Sequence, residues 1–131
     1  MKKLFLLLFI PIVCFGQLDK MGYSKAQVLN SHSSEPCKSD YNSILYCEDN
    51  GRYLNYGFEY NKVVSVISLT PFSSKYQAEQ DVKKKINTFK REYGKPRIKG
   101  EKAYFNVGNF LVMFTYSYKG GKHMSSWMVS L

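Results

Sequence analysis

From Ser73 to Gly94 the apolar residues recur at a helical period, and on either side of that stretch they alternate at a period of two. Val82, Ile86, Phe89 and Tyr93 fall at i, i+4, i+7 and i+11, and Ala78 extends the stripe to about four turns. Ser74 with Gln77 predicts a capping box at the start, and Gly94 followed by Pro96 predicts the stop. Lys83, Lys84, Lys85, Lys90 and Arg91 lie off the stripe and are expected to face water. A single long amphipathic helix set between strand-like stretches restricts the chain to a helix laid on a sheet.

The stretches before it read as a meander. "SILYCE" runs into "DNG", a strong hairpin signal. "RYLNYGFEY" alternates, with Leu54, Tyr56, Phe58 and Tyr60 on one face, and Asn61-Lys62 predicts the next tight turn. "VVSVISL" is a third strand rich in β-branched residues, closed by Pro71. After the long helix, "KAYFNV" and "FLVMFTYSY" flank Gly108-Asn109, a further hairpin turn. Phe110, Val112, Phe114, Tyr116 and Tyr118 share one face of the second strand, with Leu111 and Met113 on the other. "KGGKH" is a turn and "MSSWMVSL" a last strand. A shorter helix is expected between Asp19 and Ser34, capped by Ser24 with Gln27 and ended by Pro36. The expected fold class is α+β: an antiparallel sheet in the order α-βββ-α-βββ, with the helices packed on one face.

The first residues predict a leader. Lys2 and Lys3 precede an apolar run from Leu4 to Val13, the layout of a secretory signal, and the run falls short of the roughly 20 residues of a membrane-spanning helix. Cys14 and Gly16 stand as small residues at −3 and −1 of a cut after Gly16, so the expected division is a signal peptide over 1–16 and a single domain over 17–131. The alternative is a lipid anchor on Cys14, which Val13 fits poorly as the preceding residue. The expected location is periplasmic or secreted. The chain carries 19 basic and 10 acidic residues; without Lys2 and Lys3 the balance is 17 to 10, a net charge of +7. In an exported protein that charge suits an anionic partner, and export argues against nucleic acid. Cys37 and Cys47 remain as an even pair in an oxidising compartment, which reads as a disulfide.

One further resemblance is carried by "MGYSKAQVLNSHSSEP" and "ILYCEDNGRYLNYGFEYNKVVSVI". Gly22, Ser24 and Val28 match a Gly-x-Ser/Thr-x-x-x-Val helix start, and Val63 and Val66 match a V-x-x-V strand pattern. Over residues 21–69 the chain thereby resembles small bacterial envelope proteins of the SmpA/OmlA type and the repeat unit of the β-lactamase inhibitor protein. It departs from them at "SSEP", where the usual glycine before Pro36 is missing. The resemblance implies a fold, and a role in docking onto other proteins. It implies no catalytic residue.

Candidate chemistry is sparse. His123 beside Ser125 and Ser126 offers a base and hydroxyls, but neighbours along a strand do not make a dyad unless they converge in space. His32 reads as a surface loop residue. Glu48, Asp49 and Glu59 place carboxylates around one hairpin, where solubility explains them more simply than acid–base work. No P-loop, HExxH, G-x-S-x-G or zinc spacing is present, so no enzyme, cofactor or metal is expected. The basic run Lys83, Lys84, Lys85, Lys90, Arg91 continues through Lys95, Arg97, Lys99 and Lys102, and makes one positive surface if the connection folds back beside the helix. Tyr53, Tyr104, Tyr116, Tyr118 and Trp127 are too many for one core, so some are expected on an open sheet face. The expected function is an exported, disulfide-stapled binding domain that docks on a protein or an anionic envelope component without catalysis. Its expected contact residues are Lys83, Lys84, Lys90, Arg91, Arg97, Lys99, Tyr116, Tyr118 and Trp127. The alternative is a small-ligand binder with a pocket between the long helix and the aromatic sheet face.

Overall fold

Each half of the chain begins with a serine-capped helix and then runs through four strands. The computed structural model describes residues 18–131; the expected leader over 1–16, and Cys14 with its alternative lipid anchor, lie outside the described residues. A 3-10 turn (Leu18–Lys20) leads into α1 (Lys25–Ser31), then β1 (Lys38–Ser39), β2 (Ser43–Cys47), β3 (Tyr53–Glu59) and β4 (Lys62–Phe72). The long helix α2 (Lys75–Tyr93) follows, then β5 (Arg97–Lys99), β6 (Lys102–Val107), β7 (Phe110–Lys119) and β8 (Lys122–Ser130). All eight strands join one antiparallel sheet in the order β1-β2-β3-β4-β8-β7-β6-β5.

The expected order α-βββ-α-βββ is thus overturned. Strand accounts for 46% of the described residues and helix for 25%, so the chain is mainly one sheet with two helices laid on it. The two missed strands, β1 and β5, are two and three residues long and wholly exposed at the sheet edges, too short to show any alternation. The sheet has an approximate internal symmetry: each half forms a meander, and the final strands of the two halves, β4 and β8, pair at its centre from Ser65↔Ser130 to Phe72↔His123.

Local chemistry explains the boundaries. Ser24 Oγ accepts from Gln27 N–H and Gln27 Oε1 accepts from Ser24 N–H at 2.8 Å, a complete capping box, but α1 spans only Lys25–Ser31 of the expected region. At α2 the box is half made: Ser74 Oγ accepts from Gln77 N–H, while the Gln77 side chain accepts from Ser73. Gly94 ends α2 at φ +81°, a backbone region that favours glycine, with its N–H on Lys90 O. The second hairpin turn falls on Tyr60-Asn61, both at positive φ, one residue before the expected Asn61-Lys62, and Glu59 pairs with Lys62 across it.

Two rows of side chains cross six strands on the helix-covered face. Phe105, Val112, Val129, Val66, Tyr56 and Ile44 form one, each paired to the next. Ala103, Phe114, Trp127, Ser68, Leu54 and Tyr46 form the other, and all twelve residues are buried. Above them α2 inserts Val82 and Phe89 into an aromatic cluster with Phe105, Phe114 and Trp127, and α1 inserts Val28 over Ile44, Tyr46 and Tyr56. The N-terminal segment is tied down by Gly22 N–H to Val63 O and Val63 N–H to Tyr23 O, which sets α1 over the first half. The Cys37–Cys47 disulfide, with Cα atoms 5.8 Å apart, anchors the segment entering β1 to the end of β2.

Candidate functional site

The opposite face of the sheet carries no helix among the described residues. Strand alternation puts a second set of side chains there, and one row of it crosses all eight strands. Arg97 pairs with Tyr104, then Met113, Met128, Ile67, Asn55, Leu45 and finally Lys38 follow in register. A cation stands at each end of a mainly apolar line roughly 34 Å long, from strand spacings of about 4.8 Å. The residues between the two cations are half-buried by their neighbours along the sheet.

Two concavities lie along this face. One, of about 580 Å³, is lined by Arg97, Ile98, Lys99, Tyr104 and Leu111, with the Arg97 guanidinium 5.9 Å from the Tyr104 ring centroid. The other, of about 400 Å³, is lined by Leu45, Tyr53, Asn55, Ile67, Leu69, Met124, Lys119, Gly120 and Lys122. Leu45 on β2 and Lys119 on β7 have three strands between them in sheet order, so the sheet curls to bring the β7–β8 turn over the face. No carboxylate lines either concavity.

The expected contact residues divide between the two sides of the sheet. Arg97 and Lys99 stand on the open face. Lys83, Lys84, Lys90 and Arg91 are exposed on α2, on the other side, so the run does not form one continuous surface. Trp127 is 4% exposed and stacked on Phe114 at 5.7 Å, a core residue that presents no ring to a partner. Tyr116 is half-buried beneath Lys75, its hydroxyl 2.7 Å from His123 Nδ1, and Tyr118 is exposed; both lie on the helix side. The space beneath α2, where a ligand pocket was the alternative, is filled: the Phe89 ring sits 4.8 Å from Phe114 and 5.4 Å from Phe105. The open-face residues missed by the sequence reading are Leu45, Ile67, Leu69, Met124 and Met128. Leu111 and Met113, already visible as a second apolar face of β7, were the signal for them.

The helix side holds two polar groupings. Lys85, expected in water, pairs with Asp81 at 2.9 Å and points its ammonium toward the buried Ser125 hydroxyl at 3.5 Å. A serine nucleophile needs a partner that takes its proton, and here the neighbour donates; His123 is engaged with Tyr116 and Ser126 with Ser117. His123 and the two serines therefore do not converge on a nucleophile–base pair. His32 is no loop-surface residue: its ring stacks on Tyr46 at 3.8 Å, and its Nε2 lies 2.8 Å from the Tyr56 hydroxyl. Burial, and then the charge of Lys20, hold the His32 imidazole below its ordinary 6.5, with Glu48 opposing and Arg52 reinforcing. Burial pushes the Tyr56 phenol up to about 12.

These shifts have a sign. A histidine depressed in the folded state contributes stability that is complete above 6.5 and is lost as the pH falls from there toward its folded value. Thermal melts on acidification from 6.5 therefore fall more steeply for the wild type than for His32→Asn. Equal slopes for the two proteins exclude the coupling.

No family model matches the chain, and no curated protein matches it. Among solved structures it is similar to an extracellular protein containing a SCP domain from Bacillus anthracis str. Ames, at 14% identity and a TM-score of 0.48. That match covers 86% of this chain and 44% of the other. It is also similar to a cysteine-rich secretory protein from Staphylococcus aureus, at 12% identity and a TM-score of 0.48, covering 86% of this chain and 45% of that one. This chain thus spans less than half the length of either protein.

Proposed function

We propose that the chain is an exported, disulfide-stapled binding domain, periplasmic or secreted, that docks an acidic protein on the uncovered face of its sheet and performs no catalysis. The observation that carries this reading is the row from Arg97 to Lys38, mainly apolar through its middle, with a cation at each end, of which Lys38 lies 3.7 Å from Asp40 at the exposed sheet edge. Protein interfaces have that anatomy, a dry centre within a polar rim. The sign of the rim selects the partner. A second copy packed face to face would set Lys119, Lys122, Arg97 and Lys99 against a surface of the same charge, whereas an acidic surface complements it. The Cys37–Cys47 disulfide supports export, since such bonds persist in oxidising compartments.

A glutamate–tyrosine copolymer serves as a defined probe, combining carboxylates with apolar rings. The wild type binds it at low salt and releases it as the ionic strength rises. Arg97→Glu with Lys38→Glu weakens binding by about tenfold, and Met128→Glu does the same, while Lys83→Glu with Lys84→Glu leaves it unchanged. Loss of binding with the α2 pair alone would place the contact on the helix side. Tighter binding to anionic vesicles than to the copolymer, or salt-independent binding, overturns the reading.

A further inference from the structure

We infer that the groove beneath the β7–β8 turn is a binding site for a free single-chain carboxylate, a fatty acid whose tail lies on Leu45, Ile67, Leu69 and Met124 and whose head meets Lys119 and Lys122. The inference rests on the uncovered face being a binding surface and adds a ligand to one end of it.

Three features point to this chemistry. The floor is apolar, with Met124 only 4% exposed, and the concavity of about 400 Å³ falls toward the lower part of the range of about 300–1,000 Å³ seen in small-ligand sites. That size suits one chain rather than two. The two cationic groups stand together: alternation sends Lys119 and Lys122 to this face with Met124, while Tyr53 and Asn55 add a hydroxyl and an amide to the lining. The two lysines are also cross-strand partners, Lys119↔Lys122, and neither has a carboxylate within ion-pairing distance among the described residues. Like charges directly opposite each other across a ladder destabilise it. A bound carboxylate removes that repulsion, and an alcohol or a cationic head does not.

The test uses dodecanoate, with dodecanol and dodecyltrimethylammonium as uncharged and cationic controls, on the full folded chain labelled at the methionine methyls. Dodecanoate is expected to shift the Met124 methyl signal while Met113 and Met128, on the same face but outside the groove, stay in place. Lys119→Glu with Lys122→Glu is expected to weaken dodecanoate about tenfold, without changing the weak binding of dodecanol. Leu69→Glu is expected to abolish both, and an unchanged melting temperature shows that each variant is folded. Equal shifts at all three methionines, equal affinity for dodecanol, or charge reversal without effect overturns the inference. So does a response to phosphatidylglycerol vesicles with none to free dodecanoate. Arg97→Glu with Lys38→Glu separates the two readings: it weakens copolymer docking about tenfold and leaves dodecanoate binding unchanged. Dodecanoate binding without copolymer binding refutes the docking alone, and the reverse refutes the groove alone.

Discussion

Phe89→Ala lowers the stability of the fold by about 3–5 kcal/mol. Phe89 is 1% exposed, and its ring is ringed by Tyr93, Phe105, Phe114 and Trp127 at centroid distances of 5.2, 5.4, 4.8 and 6.3 Å. Removing it deletes the central contact between α2 and the sheet and leaves a cavity that rigid neighbours on β6, β7 and β8 fill poorly. A domain of this size has roughly 6–15 kcal/mol in total, so the variant stays folded with a reduced margin. Urea titration measures the change as a lower midpoint at an unchanged slope. Tyr76→Ala is the control: Tyr76 is 71% exposed on the same helix and its removal costs at most about 0.5 kcal/mol. If the two variants melt together, α2 is not docked through this ring.

The second large effect belongs to the disulfide. Cys37 and Cys47 are separated by 10 positions, and closing so short a loop stabilises by about 2.5–3 kcal/mol on chain-entropy grounds. The loss on reduction is local before it is global. β1 pairs with β2 through only Lys38↔Leu45 and Ser39↔Ile44, so the cross-link is its main restraint. Cys37→Ser with Cys47→Ser is expected to lower the melting temperature and to release amide protection first at position 37, whose N–H donates to the Leu45 carbonyl. Protection lost evenly along the sheet would show that the bond stabilises the whole fold and does not anchor its edge. Because Leu45 also lines the groove, the same variant is expected to loosen dodecanoate.

Much of the architecture was legible because local chemistry dictates it. The stripe from Ala78 to Tyr93 has one period, one cap and one stop, and α2 follows it from Lys75 to Tyr93. The hairpin at Gly108-Asn109 was equally readable, and Val107 pairs with Phe110 across it. Alternation in β7 separated two faces correctly but could not say which one a helix covers. Phe114 and Met113 are both apolar, and the choice is made by α2 packing from a distance along the chain. Tyr116, Tyr118 and Trp127, expected as contact residues, thus lie on the side that α2 covers. Arg97 and Lys99 belonged to a basic run in the sequence, yet pairing of β5 with β6 turned them away from the lysines of α2. The His32 stack on Tyr46 and its hydrogen bond with Tyr56 join residues 14 and 24 positions away, and nothing in "NSHSS" announces them.

The position of β8 has a consequence for how the chain is made. It follows every other strand along the polypeptide, yet it occupies the middle of the sheet, bonded to β4 on one side and β7 on the other. Until it has emerged, the two meanders each present a raw edge with no mate, and neither can be zipped to its sibling. Closure of the sheet therefore waits until β8 is itself available to fill the gap between β4 and β7.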